Sequence, residues 1–223
     1  MANFDDLDPL SQEPNINLIM LRAGSAIPGD ADLVIIPGTK STIGDLKFLK
    51  GQKWDLDLAG HINRGGYVLG ICGGYQILGK TISDPQGIEG TTVVTQGLGY
   101  LDVHTKMKAD KKVTPTTAIH LASGNQINGY EIHIGETTGN DCTRPFATSN
   151  NVPDGAIAHS GQIMGTYLHG LFTNNNFRQF FLKNLGLKPS NLDFEQEIED
   201  ALDKLADHVE QHVDIDAFIS IAR

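Results

Sequence analysis

The chain has 223 residues, 39% hydrophobic and 20% charged, which suffices to bury a core without disulfides and excludes a disordered or fibrous chain. Lysine and arginine number 17 against 27 aspartates and glutamates, and this net charge of −10 argues against a surface for nucleic acid. The sequence contains no apolar run of membrane-spanning length and no signal-peptide pattern, so we expect a cytosolic protein without membrane contact.

The first half of the chain alternates between short apolar strands and helices. Residues 1–15 are polar and acidic and are interpreted as a linker or lead-in, and 16–223 as one domain. The pattern predicts strands over 16–21, 33–36 and 67–71, and helices over 43–49, 56–63 and from residue 73. Strands that are apolar on both faces are typical of a covered parallel sheet. We therefore predict a doubly wound α/β fold, mostly parallel, with flanking helices and some antiparallel strands.

The second half predicts more irregular structure. The Gly-, Thr- and Asn-rich stretch 86–159 indicates short, partly antiparallel strands, followed by a strand over 163–168 and a helix over 175–185. An acidic amphipathic helix is expected within 193–216, and such a charged face more commonly solvates a protein than docks a basic partner. His208 and His212 lie one helical turn apart but lack the His-Glu-x-x-His pattern, so we predict no metal site.

One cysteine occupies a position typical of a nucleophile. Cys72 is the centre of Gly70-Ile71-Cys72-Gly73-Gly74, between an apolar strand and an expected helix, which is the thiol form of a nucleophile elbow. The flanking glycines leave room for a sharp turn, and the helix N-terminus favours a thiolate. The Gly73 N–H is then placed to donate to an oxyanion. Cys142 has no such context and is interpreted as a loop or packing cysteine.

Two further features are expected at the same edge of the sheet. His169 follows a predicted strand and is the best candidate for a base, with His133 as the runner-up. The loop from Pro37 to Thr42 also follows a strand, and its N–H groups are candidates for the second oxyanion donor. It lacks the spacing of a phosphate-binding loop, so we expect no ATP site in this chain.

Together these motifs resemble the class I (triad) glutamine amidotransferase domains, and specifically the branch at the C-terminus of cobyric acid synthase with its cobyrinic acid a,c-diamide synthase relatives. The resemblance spans nearly the whole chain, in the expected order. It is carried by residues 3–10 (NFDDLDPL), 32–42 (DLVIIPGTKST), 70–78 (GICGGYQIL), 84–90 (DPQGIEG), 97–99 (GLG), 129–133 (GYEIH) and 165–172 (GTYLHGLF).

The resemblance implies that L-glutamine is hydrolysed through a thioester on Cys72, with His169 managing the protons. Gly38 or Thr39 would join Gly73 in supplying oxyanion N–H groups, and Gln76 would help to hold the substrate. Many class I domains carry a glutamate two residues after the histidine, but that position here is Leu171. Glu131 is the candidate that would orient His169 or bind substrate; alternatively it contacts a partner domain or holds a loop.

The resemblance also implies a partner. In the family, the ammonia amidates corrin-ring carboxylates in cobalamin biosynthesis, on an N-terminal synthetase domain with ATP and Mg²⁺ that this chain lacks. The chain would then be part of a longer protein or a separately encoded subunit. Three alternatives remain at this stage: a glutaminase subunit that serves a Mur-ligase-like partner in amidating a cell-wall lipid precursor, a non-catalytic α/β binding module, and a cysteine hydrolase acting on esters or peptides.

Overall fold

The computed structural model describes residues 4–90 and 94–221, in two compact units that divide after Ser190. The helices are α1 (Asp8–Ser11), α2 (Thr42–Gly51), α3 (Trp54–Asn63), α4 (Gly73–Leu78), α5 (Asn175–Asn184), α6 (Phe194–His212) and α7 (Ile215–Ile221), with 3-10 helices at Phe4–Leu7, Asn140–Thr143 and Leu171–Thr173. The strands are β1 (Leu33–Ile36), β2 (Tyr67–Ile71), β3 (Thr81–Ser83), β4 (Val94–Gln96), β5 (Val103–His120), β6 (Gln126–Gly139), β7 (Ala147–Ser149), β8 (Val152–Asp154), β9 (Ala156–Ile157), β10 (Ile163–Thr166) and β11 (Leu168–His169).

The first unit is built on a four-stranded sheet of order β1-β2-β10-β9, in which the first three strands run parallel. The central strand β2 is buried on both faces. Leu69 and Ile71 belong to one hydrophobic cluster, and Val68, which points the other way, belongs to a second. This two-sided burial explains the uninterrupted apolar run of the strand, and the predicted α/β class is confirmed.

The second sheet is larger and mostly antiparallel. Its order is β11-β6-β5-β3-β4, and the long strands β5 and β6 form its hairpin. The chain passes from β10 in the first sheet to β11 in the second with only Tyr167 between them. Because β10 pairs with β2, this crossing brings residue 169 close to the end of β2.

Several sequence predictions change in the structure. The predicted strand over 16–21 is absent, because its described backbone groups pair with no strand and Ile19 and Met20 are exposed. Residues 4–11, expected to belong to a lead-in, fold into two short helices that bury Leu7 and Leu10 in the core of the first unit. Residues 191–221 form a unit of their own, in which the predicted acidic helix is present as α6. None of the described helices is long and apolar enough to span a membrane.

Candidate active site

The turn that carries Cys72 has the geometry of a nucleophile elbow. Cys72 adopts φ 54° and ψ −111°, a backbone conformation that is strained for a residue with a side chain. A Cβ on Gly74 would lie 1.8 Å from the carbonyl oxygen of Ile36 in β1, and one on Gly70 would lie 2.7 Å from the backbone of Gly74. Glycines at these two positions therefore allow the helix to follow the strand without an intervening loop.

Cys72 is linked to two groups. Its thiol hydrogen-bonds with the side chain of His169, and Sγ also lies 3.0 Å from the carbonyl oxygen of Ile132, to which the thiol can donate. The amide nitrogen of Cys72 donates to Thr166 in β10, three residues before His169, at 2.8 Å. Neighbouring parallel strands thus bring together the two residues that sequence analysis named for chemistry.

The partner of His169 on its other side is Asp6. Both side chains are about 1% exposed, and His169 Nδ1 lies 2.7 Å from Asp6 Oδ2. The second oxygen, Asp6 Oδ1, accepts a hydrogen bond of 2.8 Å from the amide of Gly170. A carboxylate held in this way keeps the proton of the neutral imidazole on Nδ1, which leaves Nε2 to exchange a proton with the thiol. Cys72, His169 and Asp6 thus form a hydrogen-bonded triad.

The environment of His169 favours its protonated form. Burial by itself lowers the pKa of the imidazole, but the hydrogen bonds to Asp6 and Cys72 and their negative charges outweigh burial and raise the pKa from 6.5 to about 9. At neutral pH the ring can therefore hold a proton beside the sulfur, where it stabilises a thiolate and is available to a leaving group.

The segment that carries Asp6 is fixed to the first unit at two points. Glu13 accepts a buried hydrogen bond of 2.7 Å from Arg178 in α5, and burial of the pair is complete. Tyr130 in β6 donates to Asp5 at 2.9 Å, and its ring stacks on the imidazole of His169 with 5.1 Å between centroids. Residues 4–13 are therefore part of the site, which corrects their interpretation as a linker.

The two segments proposed for the oxyanion hole, the 38–39 loop and the start of α4, lie against each other beside the triad. A Cβ on Gly38 would lie 3.0 Å from His169 Cε1 and 3.7 Å from Cys72 Cβ. A Cβ on Gly73 would lie 3.3 Å from the amide nitrogen of Thr39 and 2.3 Å from its side chain. Any side chain at position 73 would therefore displace the 38–39 loop from the nucleophile.

These groups open onto one cavity of about 250 Å³, a volume suited to a small metabolite. Its wall is formed by Cys72 and His169, by the loop after β1 with the start of α2, by α4, by the loop between β3 and β4, and by β5 and β6. The lining residues are Gly38, Thr39, Lys40, Thr42, Cys72, Gly73, Gln76, Glu89, Met107, Ile132, His133, Ile134 and His169.

Comparison with known proteins identifies the family. Residues 1–177 match the model of the CobB/CobQ-like glutamine amidotransferase domain. The chain belongs to this family. Cobyric acid synthases of Cereibacter sphaeroides and Bradyrhizobium diazoefficiens are 54% identical over all 223 residues, and that of Rhodobacter capsulatus is 52% identical. The chain spans about half (46%) of the length of each of these relatives, which corresponds to their C-terminal part.

Solved structures agree on the fold. A crystal structure titled glutamine amidotransferase aligns with a TM-score of 0.50 at 16% identity, and covers 70% of this chain and 80% of that one. The structure of PurLQS from Thermotoga maritima aligns with a TM-score of 0.51 at 18% identity and the same coverage. Similarity at this level of identity concerns the fold alone, and the assignment of the chain as a glutamine amidotransferase domain rests on the family match.

Two other residues that the sequence predicted for this site, Gln76 and His133, also lie in the cavity wall. Gln76 lines the cavity, but its amide is already bonded: Oε1 accepts from Thr42, and Nε2 donates to the carbonyl of Ile134 and to the Tyr167 hydroxyl, at 2.9 to 3.1 Å. His133 lines the same wall and stacks on Tyr167 with 3.9 Å between centroids. The histidine that interacts with both Cys72 and Asp6 is His169 rather than His133.

Glu131 is not the residue that bonds to Nδ1 of His169. Its backbone pairs with Leu168, and it is absent from the cavity wall, whereas Asp6 occupies Nδ1 of His169. Sequence reasoning missed Asp6 because 163 residues separate it from His169. The only signal was its place in the 3–10 motif, which carried the resemblance without indicating a contact.

Within residues 4–90 and 94–221, no three histidine, cysteine or acidic side chains cluster as metal ligands. His208 and His212 stack on each other along α6, and His212 Nδ1 lies 2.8 Å from the carbonyl oxygen of His208.

Proposed function

We propose that this chain hydrolyses L-glutamine to glutamate and ammonia through a covalent thioester on Cys72. The observation that carries the proposal is the hydrogen-bonded series Cys72–His169–Asp6 at the wall of a metabolite-sized cavity, in a chain of the CobB/CobQ-like family. The Cys72 sulfur attacks the γ-carbonyl carbon, and the carbonyl oxygen becomes an oxyanion. The main-chain N–H groups of Gly73 and of Gly38 or Thr39 are the proposed donors to it.

The tetrahedral adduct then collapses. The bond from carbon to the amide nitrogen breaks, the nitrogen takes the proton held on His169 Nε2, and ammonia leaves. His169 next removes a proton from water, whose oxygen attacks the thioester. The carbon–sulfur bond breaks, glutamate leaves, and the thiol is restored. The Ile132 carbonyl, 3.0 Å from Sγ, is suited to accept a hydrogen bond from the amide nitrogen before it leaves.

We further propose that the ammonia serves the amidation of corrin-ring carboxylates in a cytosolic reaction. The support is the name cobyric acid synthase, which the curated relatives carry at 52–54% identity. The ATP-dependent half of that reaction would take place on a synthetase domain or subunit that binds ATP, Mg²⁺ and the corrinoid.

Glutamate release from L-glutamine by the wild-type chain, by Cys72→Ala and by His169→Ala tests the glutaminase. We expect turnover in the wild type alone. A glutamine-mimicking electrophile, 6-diazo-5-oxo-L-norleucine, provides a second readout, because a competent site that awaits its partner still forms an adduct at Cys72. A wild-type chain that neither releases glutamate nor forms this adduct would refute the proposal and would favour a non-catalytic binding module.

A further inference from the structure

The wall of the cavity beside the triad carries two charges that the triad does not use. Besides the reacting groups, its wall contains one carboxylate, Glu89, and one ammonium group, Lys40. Lys40 belongs to the same loop as the proposed oxyanion donors, and Glu89 lies in the loop between β3 and β4. The hydrolysis described above involves only the amide end of a glutamine molecule and leaves both charges without a role.

Hydrogen bonds position Glu89 at the start of α2. The buried carboxylate of Asp84 accepts hydrogen bonds from the backbone amides of Ile88 and Glu89, at 2.9 and 2.8 Å. The Glu89 carboxylate in turn accepts from the amides of Thr42 and Ile43 at the start of α2, at 2.9 and 2.8 Å. The negative charge is therefore fixed at the cavity wall before any ligand binds.

Neither charge is neutralised by a neighbouring side chain. Among the described residues, no lysine, arginine or histidine forms an ion pair with Glu89, and no acidic group pairs with Lys40. Each carboxylate oxygen offers about two acceptor sites. Glu89 Oε1 uses one of them for Thr42, so one remains for a ligand. A half-buried carboxylate and an unpaired ammonium in one cavity suit a ligand that carries both opposite charges.

We propose that Glu89 binds the α-ammonium group of the substrate and that Lys40 faces its α-carboxylate, so that this pair selects a zwitterionic amino-acid amide. The inference rests on the proposed glutaminase function. Three carbon–carbon bonds separate the amide carbon of glutamine from its Cα, a span of about 4 Å. The cavity of about 250 Å³ is large enough for a molecule of this size, and both Cys72 and Glu89 lie in its wall. Glu89 is thus assigned a role in specificity in addition to capping α2.

The test compares two amides in wild type and Glu89→Gln, namely L-glutamine and 4-carbamoylbutanoate, which lacks the α-amine. We expect Glu89→Gln to lower kcat/KM for L-glutamine by about 100-fold, because the substrate ammonium would lose the carboxylate that pairs with it. We expect the variant to change kcat/KM for 4-carbamoylbutanoate by less than about 3-fold. Glu195→Gln, on the exposed face of α6, is the matched control and should change neither value. Equal losses for both amides in Glu89→Gln would mean that the residue only caps α2 and would overturn the assignment.

Lys40 is tested in the same way with 4-aminobutanamide, which lacks the α-carboxylate. Lys40→Met should lose kcat/KM for L-glutamine but not for this amide, and an equal loss for both would overturn its part of the assignment.

Alkylation separates this proposal from the glutaminase itself. Chloroacetamide has neither an α-ammonium nor an α-carboxylate group, so it should label Cys72 at the same rate in the wild type and in Glu89→Gln. In contrast, 6-diazo-5-oxo-L-norleucine should label Cys72 far more slowly in Glu89→Gln than in the wild type. Equal rates with both reagents would leave the glutaminase intact and refute the role of Glu89. A wild-type Cys72 that reacts with neither reagent, together with no glutamine turnover, would refute the proposed function itself.

Discussion

Replacing Asp6 by asparagine should disable the base without removing either reacting group. Asp6 accepts from His169 through one oxygen and from Gly170 through the other, so an amide of the same shape must present a donor to one of them. If the NH₂ group faces His169, the imidazole proton moves to Nε2, and the ring can no longer take the thiol proton. If the NH₂ group faces Gly170 instead, a buried N–H loses its acceptor.

The size of the effect follows from the pKa of His169. A rise in the pKa from 6.5 to about 9 corresponds to about 3 kcal/mol of net stabilisation of the imidazolium. Asp6 and Cys72 supply this stabilisation, and burial of the ring opposes it. Loss of that stabilisation corresponds to a decrease of roughly 300-fold in kcat/KM. The upper limb of the pH–rate profile should also move from about pH 9 in the wild type to lower pH in Asp6→Asn.

Two assays measure this change. Glutamate release gives kcat/KM, and the rate at which chloroacetamide alkylates Cys72 between pH 5 and 10 reports the thiolate directly, even if the chain needs a partner for turnover. Asp8→Asn is the matched control, because Asp8 is exposed two residues away and should retain wild-type values. Asp6→Asn with wild-type kcat/KM and an unchanged alkaline limb would refute the assignment of Asp6 to the triad.

Three further outcomes concern stability. Because the pKa of His169 is raised on folding, its protonation contributes to stability fully below pH 6.5, and this contribution is lost as the pH rises through about 9. The free energy of unfolding of the wild type should therefore fall by on the order of 3 kcal/mol between these pH values, and that of Asp6→Asn should fall by less. Arg178→Met should cost about 3–5 kcal/mol in urea unfolding because it leaves Glu13 buried without its cation, and a cost below 1 kcal/mol would contradict the pairing. Gly74→Ala should lower Tm far more than Gly29→Ala, because a Cβ at position 74 would overlap the Ile36 carbonyl, whereas a Cβ at position 29 has no atom within 4 Å. Equal Tm values for the two variants would contradict the elbow geometry.

The α/β class and the ends of most helices in the first unit were predictable because their causes are local. The sequence of β2 is an uninterrupted apolar run because both faces of the strand are covered. The helices α2 and α3 extend only a few residues beyond their predicted bounds. The strand predicted over 16–21 was wrong because apolar composition does not supply a hydrogen-bonding neighbour. The size of the antiparallel sheet was also underestimated, since the pairing of β5 with β6 depends on partners that a short alternating run does not identify.

Cys72 could be found from the sequence alone, because the steric demands of an elbow are met within five consecutive residues. Gly70 and Gly74 are required because a side chain at either position would collide with the adjoining helix or strand, and both glycines are visible in the sequence motif. The position of His169 after a strand could also be predicted from the sequence. In the structure, the parallel pairing of β10 with β2 brings His169 beside the thiol. Only the tertiary structure identified Asp6 and Glu89, because the first approaches His169 across 163 residues and the second reaches α2 from a separate loop. A carboxylate is oriented and desolvated by the groups packed around it, and the surroundings of these two come from distant parts of the chain that meet only on folding.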